Sequence, residues 1–483
     1  MNKINIPIII IFLFLSLIAL VGFLAKRFES SKIESLAEWS FAGKRFGALI
    51  VWFLLGGDIY TAYTLLAVPG LVYNSGVFAF FAISYVIMEY PILFLTIPRL
   101  WNVSKKYNFI TAGDYVEKVF DSKFLAAVVA LVGIFAELPY IGLQIFGMKY
   151  MLSICGLKPD IAIAVSLAIV ITFTIFSGIR AAAVTSFIKD FFIWAMVLFL
   201  VIFIPIHYFG GIGEMFLWIN KTYPSKSLIA PQSMITFATL AFGSAGALFL
   251  YPHSINGAYT AKSANTIRKN AVFMPLYNIM LISITILGFA ALYIVPGIKN
   301  SNMAVPMMLY KTFGPYVTAI FGGVIILGSM VPASIMALSS ANLFTKNIYQ
   351  NLINPNISDG LQRIISKIAV AFIIVFSLCL SMIINPLLII KLQLIGGIII
   401  LQLFPLIYLP LFTNRVSKIP AAISVIGGLF AVFYLLYNTG WNIIYKKIYI
   451  GLWGIFTEIF LLLVFTFLFK PVENISLDDY LDA

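Results

Sequence analysis

The stretch VWFLLGGDIYTAYTLLAVPG, residues 51–70, is apolar enough to enter a membrane, yet it carries groups that interrupt a helix. Two adjacent glycines, one carboxylate and several hydroxyls lie in its middle, and a proline and a glycine end it. A bilayer tolerates an interrupted backbone only where protein or a water-filled cavity covers the break. A carboxylate there costs about 2.5–3.5 kcal/mol, so Asp58 is a functional candidate by default. We therefore predict a broken transmembrane helix that holds an ion or a substrate.

The composition agrees with a membrane protein, since 62% of the 483 residues are hydrophobic and 10% are charged. Soluble domains carry about 25% charged residues. Uncharged gaps such as the one from Asp58 to Glu89 exceed the roughly 20 residues that span a bilayer. We predict a polytopic protein in which residues 1–483 form one transmembrane domain.

The net charge of +13 does not indicate nucleic acid, because the basic residues lie in short loops between apolar segments, where they set topology. Cys155 and Cys379 have apolar surroundings and offer no metal-site spacing and no case for a disulfide. We expect no cofactor, no metal site that the sequence can assign, and no obligatory protein partner. The expected partners are a small solute, a coupling ion and the lipid bilayer.

Thirteen apolar segments are long enough to be predicted as membrane spans. They lie at about 6–25, 47–70, 77–98, 124–148, 161–177, 188–209, 232–251, 271–295, 315–343, 368–384, 392–412, 420–437 and 450–469. With the N-terminus outside, most of the 31 basic residues fall on the inner side. The positive-inside rule therefore predicts a multi-pass plasma-membrane protein with its N-terminus outside and its C-terminus in the cytoplasm.

A second interrupted segment is FATLAFGSAGALFLYP, residues 237–252. We expect Gly243, Ser244, Ala245 and Gly246 to interrupt it and Pro252 to end it. Two interrupted segments at corresponding places in two halves indicate the binding site of an inverted-repeat transporter. Spans two to six and seven to eleven would be the two repeats. The alternative is that these small residues only let helices pack closely.

Further stretches resemble the sodium:solute symporter family, in particular its monocarboxylate permease branch. The resemblance covers residues of about 39–415 and rests on the order and spacing of several motifs. These are FAGKRFGALIVWFLLGGDIYTAYTLLAVPGLVY at 41–73, IPRLW at 97–101, TAGDYV at 111–116, LPYIGLQIFGM at 138–148, SGIRAAAVTSFIKD at 177–190, YPHSINGAYTAKSANTIRKNA at 251–271 and VPASIMALSSANLFTKNIY at 331–349.

The resemblance implies an all-α, leucine-transporter-type fold with a core of two inverted five-helix repeats. One additional helix at 6–25 would precede repeat one at about 47–209 and repeat two at about 232–412. Two further helices at about 420–469 and a short cytoplasmic tail at 470–483 would follow. The family implies secondary active transport by alternating access, and the branch implies uptake of lactate, pyruvate or propionate.

The candidate site residues lie mainly at the two breaks. Asp58 would hold a cation or exchange a proton, and carbonyls freed by the glycines would ligate an ion. The coupling-ion candidates are Asp58, Gly56, Ile59 and Gly328. The substrate-cavity candidates are Gly57, Tyr60, Thr61, Tyr63, Gln144, Gly243, Ser244, Gly246 and Gln402.

The resemblance also places two adjacent hydroxyl residues of a family sodium site at Val331 and Pro332, neither of which can ligate a cation. This departure favours a proton over sodium as coupling ion. Pro332 cannot donate to the carbonyl of Gly328, which stays a possible ligand.

Other polar residues have two interpretations each. Glu137 and Gln144 either line the cavity or pair with neighbouring helices, and Gln402 either reaches the substrate or bonds a neighbouring helix. Lys189 and Asp190 form either a gate pair or, as we favour, an interfacial anchor. His253 either has a proton role, because histidine titrates near neutral pH, or, as we favour, is structural.

Rival functions remain. An enzyme would need a nucleotide loop or a His/Cys cluster, and neither motif occurs. Within the carrier class the alternative is a sodium-coupled amino-acid (proline- or alanine-like) or sugar symporter. A transporter-like membrane sensor is the alternative of another class.

Overall fold

The computed structural model describes residues 5–27, 44–57, 59–383, 389–469, 475 and 477–481 of the chain. Most of these residues are helical, and a two-stranded hairpin pairs Ile444–Tyr445 with Ile448–Tyr449. The longer helices, in chain order, are α1 Ile6–Arg27, α2 Ala48–Gly57, α3 Val68–Ser75, α4 Phe81–Tyr107, α5 Ala112–Phe120, α6 Lys123–Ile154, α7 Pro159–Phe209, α8 Ile212–Thr222, α9 Met234–Leu248, α10 Pro252–Tyr259, α11 Ala264–Phe273, α12 Pro275–Ile294, α13 Ala304–Leu343, α14 Asp359–Ile383, α15 Ile389–Leu401, α16 Lys418–Asn438 and α17 Ile450–Thr466.

In this part of the chain, seven helices are long and apolar enough to cross a membrane, or up to nine if each bent pair is one span. Shorter apolar helices lie at four further predicted spans, and they include Ala48–Gly57 and Ile450–Thr466. The count of thirteen spans therefore stays a prediction.

One predicted loop is helical instead. The apolar segments Pro159–Ile175 and Ala182–Phe209, expected as spans at 161–177 and 188–209, are joined without a break in one helix, α7, of 51 residues. At 1.5 Å per residue it is about 76 Å long, more than twice the thickness of the hydrocarbon core. The residues expected to form the loop include Gly178 but no proline, and three consecutive alanines, 181–183, favour the helix.

The first predicted break is confirmed. Helix α2 ends at Gly57, and a turn leads to a π-helical segment at Tyr63–Ala67, which runs into α3. In the turn, the amide of Ile59 donates to the carbonyl of Gly56 at 3.0 Å, and that of Tyr60 donates to Gly57 at 3.2 Å. These bonds span three residues instead of four, so the α-helical ladder stops here.

The second break exists, but not where the small residues predicted it. Helix α9 continues through 243–246, and the chain bends by 47° between Leu248 and Pro252. Tyr251 has an extended ψ of 137°, because a residue before proline avoids the helical region. A Cβ on Gly243 would lie 2.4 Å from Tyr449, and one on Gly246 3.1 Å from Leu401. Both glycines therefore serve close packing, the alternative interpretation.

Helix α13 lies at the centre of the molecule. Most of its side chains are buried, and it packs against α6 and α7. The π-helical segment after the first break and helix α10 after the second break also pack against it. Both breaks therefore face one shared core, in which α6, α7 and α13 supply the surrounding side chains.

Candidate functional site

A buried lysine occupies the first break. Lys189 on α7 has a fully buried side chain, and its ammonium donates to the carbonyl of Gly57 at 2.6 Å. A longer contact of 3.4 Å reaches the carbonyl of Tyr60. Both carbonyls lie at the break, where Gly57 ends α2 and accepts only the Tyr60 amide from the turn, at 3.2 Å. Carbonyls at such a break are the kind of group expected to ligate a coupling ion. The ammonium group of Lys189 therefore lies at the break, where a bound coupling ion was expected.

Asp190 balances the charge of this lysine. Its carboxylate lies 3.0 Å from the Lys189 ammonium and is equally buried. The hydroxyl of Tyr277 donates to Asp190 at 2.9 Å, and the hydroxyl of Tyr60 donates to the backbone carbonyl of Tyr277 at 2.7 Å. The interpretation of Lys189 and Asp190 as an interfacial anchor is wrong, because both side chains are enclosed by helices that meet at the break.

On the first break, the carbonyls predicted to ligate the ion were those of Gly56 and Ile59. Lys189 bonds the carbonyls one residue further along the chain. Gly56 accepts the Ile59 amide, and Ile59 accepts the Thr64 hydroxyl. Gly328 lies on the same side of the core, since its Cβ position is 3.9 Å from the carbonyl oxygen of Tyr60. Asp58 lies outside the described residues, so its predicted role is untested.

Gly57 and Tyr60 belong to this charged cluster and not to a separate cavity. A Cβ on Gly57 would lie 3.0 Å from the Asp190 carboxylate and 3.1 Å from the Lys189 ammonium. The ring of Tyr60 lies 4.9 Å from that of Tyr277. A larger residue at position 57 would therefore press on the ion pair, which would have to shift by a few tenths of an ångström.

The other predicted residues of the first break meet around the start of its second half. The carboxamide oxygen of Gln144 accepts the amide of Ala62 at 2.8 Å, and the hydroxyl of Thr61 accepts the amide of Tyr63 at 3.1 Å. The Gln144 nitrogen and the Tyr63 hydroxyl are buried and make no hydrogen bond within the described residues. The bond from Ala62 to Gln144 is the contact with a neighbouring segment that the alternative interpretation describes, and the cavity role of Gln144 stays a prediction.

A cluster of buried polar residues lies at the second break, and the prediction from sequence gave it little weight. Glu137 on α6 is fully buried and accepts from the backbone amide of His253 at 2.9 Å. Its carboxylate also contacts the ring nitrogen Nδ1 of His253 at 2.8 Å. Ser339 and Ser340 of α13 bring their hydroxyls to the same carboxylate. The signal in the sequence is the presence of these polar residues in apolar spans. The sequence does not show that they contact one another.

A cavity of about 20 Å³ lies beside this cluster, between α4, α9 and α15. Its lining includes the aromatic residues Tyr85, Tyr251 and Tyr449. Ser244 and Gln393 also line it, and each has a buried oxygen without a hydrogen bond in the described part of the chain. Ser244 is thus the predicted cavity residue of the second break that does line a cavity, whereas Tyr85 and Gln393 were missed.

Gln402 does not line this cavity. It lies at a third bend of 44° between Leu401 and Phe404, and its amide nitrogen donates to carbonyls of Ile398 at 2.8 Å and Gly451 at 3.1 Å. It therefore bonds a neighbouring helix, which was the other interpretation of this residue. No group of three or more His, Cys, Asp or Glu residues that could hold a metal occurs within the described ranges.

Comparison with known sequences gives a consistent family. A model of the sodium:solute symporter family matches residues 39–428. The chain is 37% identical over 441 residues to the uncharacterized symporter YodF of Bacillus subtilis (strain 168), covering 90% of this chain and 88% of that protein. It is 35% identical over 440 residues to a monocarboxylate transport permease protein of Rhizobium johnstonii, covering 89% and 88%.

Solved structures show the same fold. A substrate-bound, outward-open Na⁺-coupled sialic acid symporter matches with a TM-score of 0.78 at 18% identity, covering 97% of this chain and 99% of that one. Mhp1, a nucleobase-cation-symport-1 family transporter in a closed conformation, matches with a TM-score of 0.56 at 13% identity, covering 91% and 96%. The predicted all-α, leucine-transporter-type fold is confirmed. At these identities the two structures show the fold alone.

Proposed function

Because this chain belongs to the sodium:solute symporter family, we propose that it takes up small monocarboxylates such as lactate, pyruvate and propionate, and that protons drive the uptake. The substrate class is supported by the relative named a monocarboxylate transport permease, which aligns over 89% of this chain. Transport would follow alternating access around the two breaks, with repeat one and repeat two moving against each other.

The observation that carries the choice of coupling ion is the position of Lys189. A sodium ion needs several oxygen ligands, and the freed carbonyls of the first break are natural members of such a set. Here the ammonium of Lys189 already bonds two of them, at 2.6 and 3.4 Å. Val331 and Pro332 supply no hydroxyls on α13. In this proposal the ammonium of Lys189 takes the place of sodium, and the proton carries the coupling.

The polar groups at the two breaks suit a short carboxylate. The Tyr63 hydroxyl and the Gln144 amide are unused donors, and Ser244 presents a hydroxyl at the small cavity. The cavity of about 20 Å³ has room for a water molecule, so a solute would bind there only after the helices around it move apart. A small anion would be held by neutral donors and by the positive end of the half-helix that begins at Ala62.

Uptake of radiolabelled lactate by proteoliposomes tests this proposal. One set receives an inward proton gradient and the other an inward sodium gradient, and protein-free liposomes are the control. Uptake driven by protons alone supports both the substrate class and the loss of sodium coupling. Sodium-driven uptake would contradict the role given to Lys189. If neither gradient drives lactate uptake, competition with unlabelled proline, alanine and sugars tests the alternative symporters.

A further inference from the structure

We propose that Glu137 and His253 form the proton-binding site of this carrier, at the second break and separate from the Lys189–Asp190 pair. The inference deepens the proposed function and rests on it, since it assigns the coupling proton to named atoms. It starts from the geometry of a fully buried carboxylate and a histidine that is 1% exposed.

The carboxylate of Glu137 is surrounded by donors from two other helices. The amide of His253, at the start of α10, and the Nδ1 atom of its ring both meet the oxygen Oε1, at 2.9 and 2.8 Å. On α13, the Ser340 hydroxyl donates to Oε2, and the Ser339 hydroxyl lies 3.1 Å from Oε2. These contacts join the Glu137 carboxyl group to α10 and α13, and the Ser339 hydroxyl also donates to the carbonyl of Met336 at 2.8 Å.

Other buried carboxyl groups of the chain are placed differently. Glu89 on α4 and Glu458 on α17 are fully buried, and within the described residues their oxygens make no hydrogen bond. An isolated buried carboxyl group is least costly without a charge. Asp190 has its own cation at 3.0 Å. Among the described residues, Glu137 is the buried carboxyl group that contacts a histidine, a side chain that can gain or lose a proton near neutral pH.

The proton balance follows from the hydrogen bonds. The proposal places a hydrogen on Nδ1 of His253, facing Oε1 of Glu137, so the remaining protonation site of the ring is Nε2. With Nε2 unprotonated, the cluster has the single negative charge of Glu137. A proton that binds Nε2 makes the ring an imidazolium and the cluster neutral overall, and its release restores the negative charge.

This change of charge is coupled to the position of α10. The carboxylate of Glu137 joins α6 to the first amide of α10, and through Ser340 to α13. A net charge buried among helices is unfavourable, whereas a neutral ion pair is tolerated. Proton binding therefore holds α10 against α6 and α13, and proton release favours hydration of the cluster and movement of α10. That movement would open one side of the transport site.

In the described part of the chain, rings and hydroxyls from α6, from the second break and from α13 lie next to the pair. Tyr140 of α6 and Tyr251 at the break have ring centroids 5.9 and 5.4 Å from that of His253. Helix α13 contributes the hydroxyls of Ser339 and Ser340. Among these groups, only the imidazole titrates near neutral pH without a perturbation.

Histidine NMR tests proton binding directly, because the chain contains only two histidines. Protein labelled with ¹⁵N-histidine is placed in nanodiscs and titrated from about pH 5 to 9, the range around the ordinary histidine pKa. His207→Gln removes the other histidine, which is exposed at the end of α7 and stacked on Phe203. We expect the His253 ring to change protonation in this range.

The Glu137→Gln variant tests whether the carboxylate affects proton binding to His253. Loss of the carboxylate should weaken proton binding to His253 by at least about tenfold, since a close opposite charge shifts a titration by about 1–3 pH units. A His253 ring that stays in one protonation state throughout, or an unchanged titration in Glu137→Gln, would overturn the proposal. The wild-type titration needs no variant, so a misfolded mutant cannot obscure the result.

Transport separates a coupling role from a structural one. His253→Gln should lower proton-driven lactate uptake by at least about tenfold, the size typical of a lost proton-transfer group, while lactate counterflow without a gradient persists. His207→Gln should retain both activities. Equal loss of uptake and counterflow in His253→Gln would indicate a packing role and refute the proposal. Absence of lactate transport in the wild type would reject the proposed function, whereas the NMR titration would still decide the proton site.

Discussion

Replacing Lys189 by alanine removes the cation that we place at the first break. The substitution deletes an ammonium that bonds the carbonyl of Gly57 at 2.6 Å and pairs with Asp190 at 3.0 Å. Asp190 keeps the hydroxyl of Tyr277, at 2.9 Å, as a hydrogen-bond donor. Its negative charge, however, loses the lysine that balanced it inside the core.

The expected cost follows from the burial of both charges. Removal of one partner from a buried ion pair typically costs about 3–5 kcal/mol, because it leaves an uncompensated charge. If a sodium ion enters the vacated position, it stabilises the folded protein by about 2.7 kcal/mol when its concentration is about 100 times its dissociation constant. Lys189→Ala should therefore be strongly destabilised without sodium and largely rescued by it.

Thermal unfolding in detergent measures both effects. Melting temperatures of wild type and Lys189→Ala are compared in sodium chloride and in choline chloride at equal ionic strength. The wild type should melt at the same temperature in both salts, and the variant should melt higher in sodium. Lys189→Ala combined with Asp190→Asn is the matched control, because it removes both charges and should lose the sodium response.

The reasoning would be refuted by a Lys189→Ala protein that melts like the wild type in choline. It would also fail if the double variant responded to sodium as strongly as the single one. In the first case the ammonium contributes no net stability at the break, and in the second the ion does not occupy its place beside Asp190.

Three further predictions concern other positions of the chain. Asp58→Asn should abolish coupled uptake while leaving folded protein in the membrane; unchanged uptake would remove Asp58 from the site and leave Glu137 and His253 as the proposed proton carriers. Replacing Val331-Pro332 by Ser-Ser should create sodium-sensitive lactate uptake only when Lys189 is also replaced by alanine, a dependence that the two uptake assays compare directly. Gly243→Ala should cost about 1–3 kcal/mol by overpacking, since its Cβ would lie 2.4 Å from the Tyr449 ring; a melting temperature equal to that of wild type would show that α9 can shift away from that ring.

The sequence alone determined the class of protein and the first break. Long uncharged apolar segments require helices in a bilayer, because backbone groups there must bond within their own segment. Gly56 and Gly57 before a carboxylate marked the end of α2 correctly. The family motifs placed the chain in the right fold, since their order along the chain is itself sequence information.

Local composition was misleading where packing decides the outcome. Gly243 and Gly246 read as helix interruptions, but a neighbouring ring and a leucine side chain fill the space beside them, and the helix continues. The bend occurs a few residues later, where Pro252 restricts Tyr251. Small residues have the same appearance in a sequence whether they break a helix or admit a neighbour.

Only the tertiary structure decided which charges meet. Lys189 and Gly57 are 132 positions apart in the sequence. Glu137 and His253 are 116 positions apart. Each residue alone permits a structural, interfacial or functional interpretation. A buried charge is tolerated only beside its partner, and the partner is chosen by the crossing of helices that no local pattern encodes. The sequence therefore supplied the charged groups, and the packing of α6, α7, α10 and α13 assigned them to two separate sites.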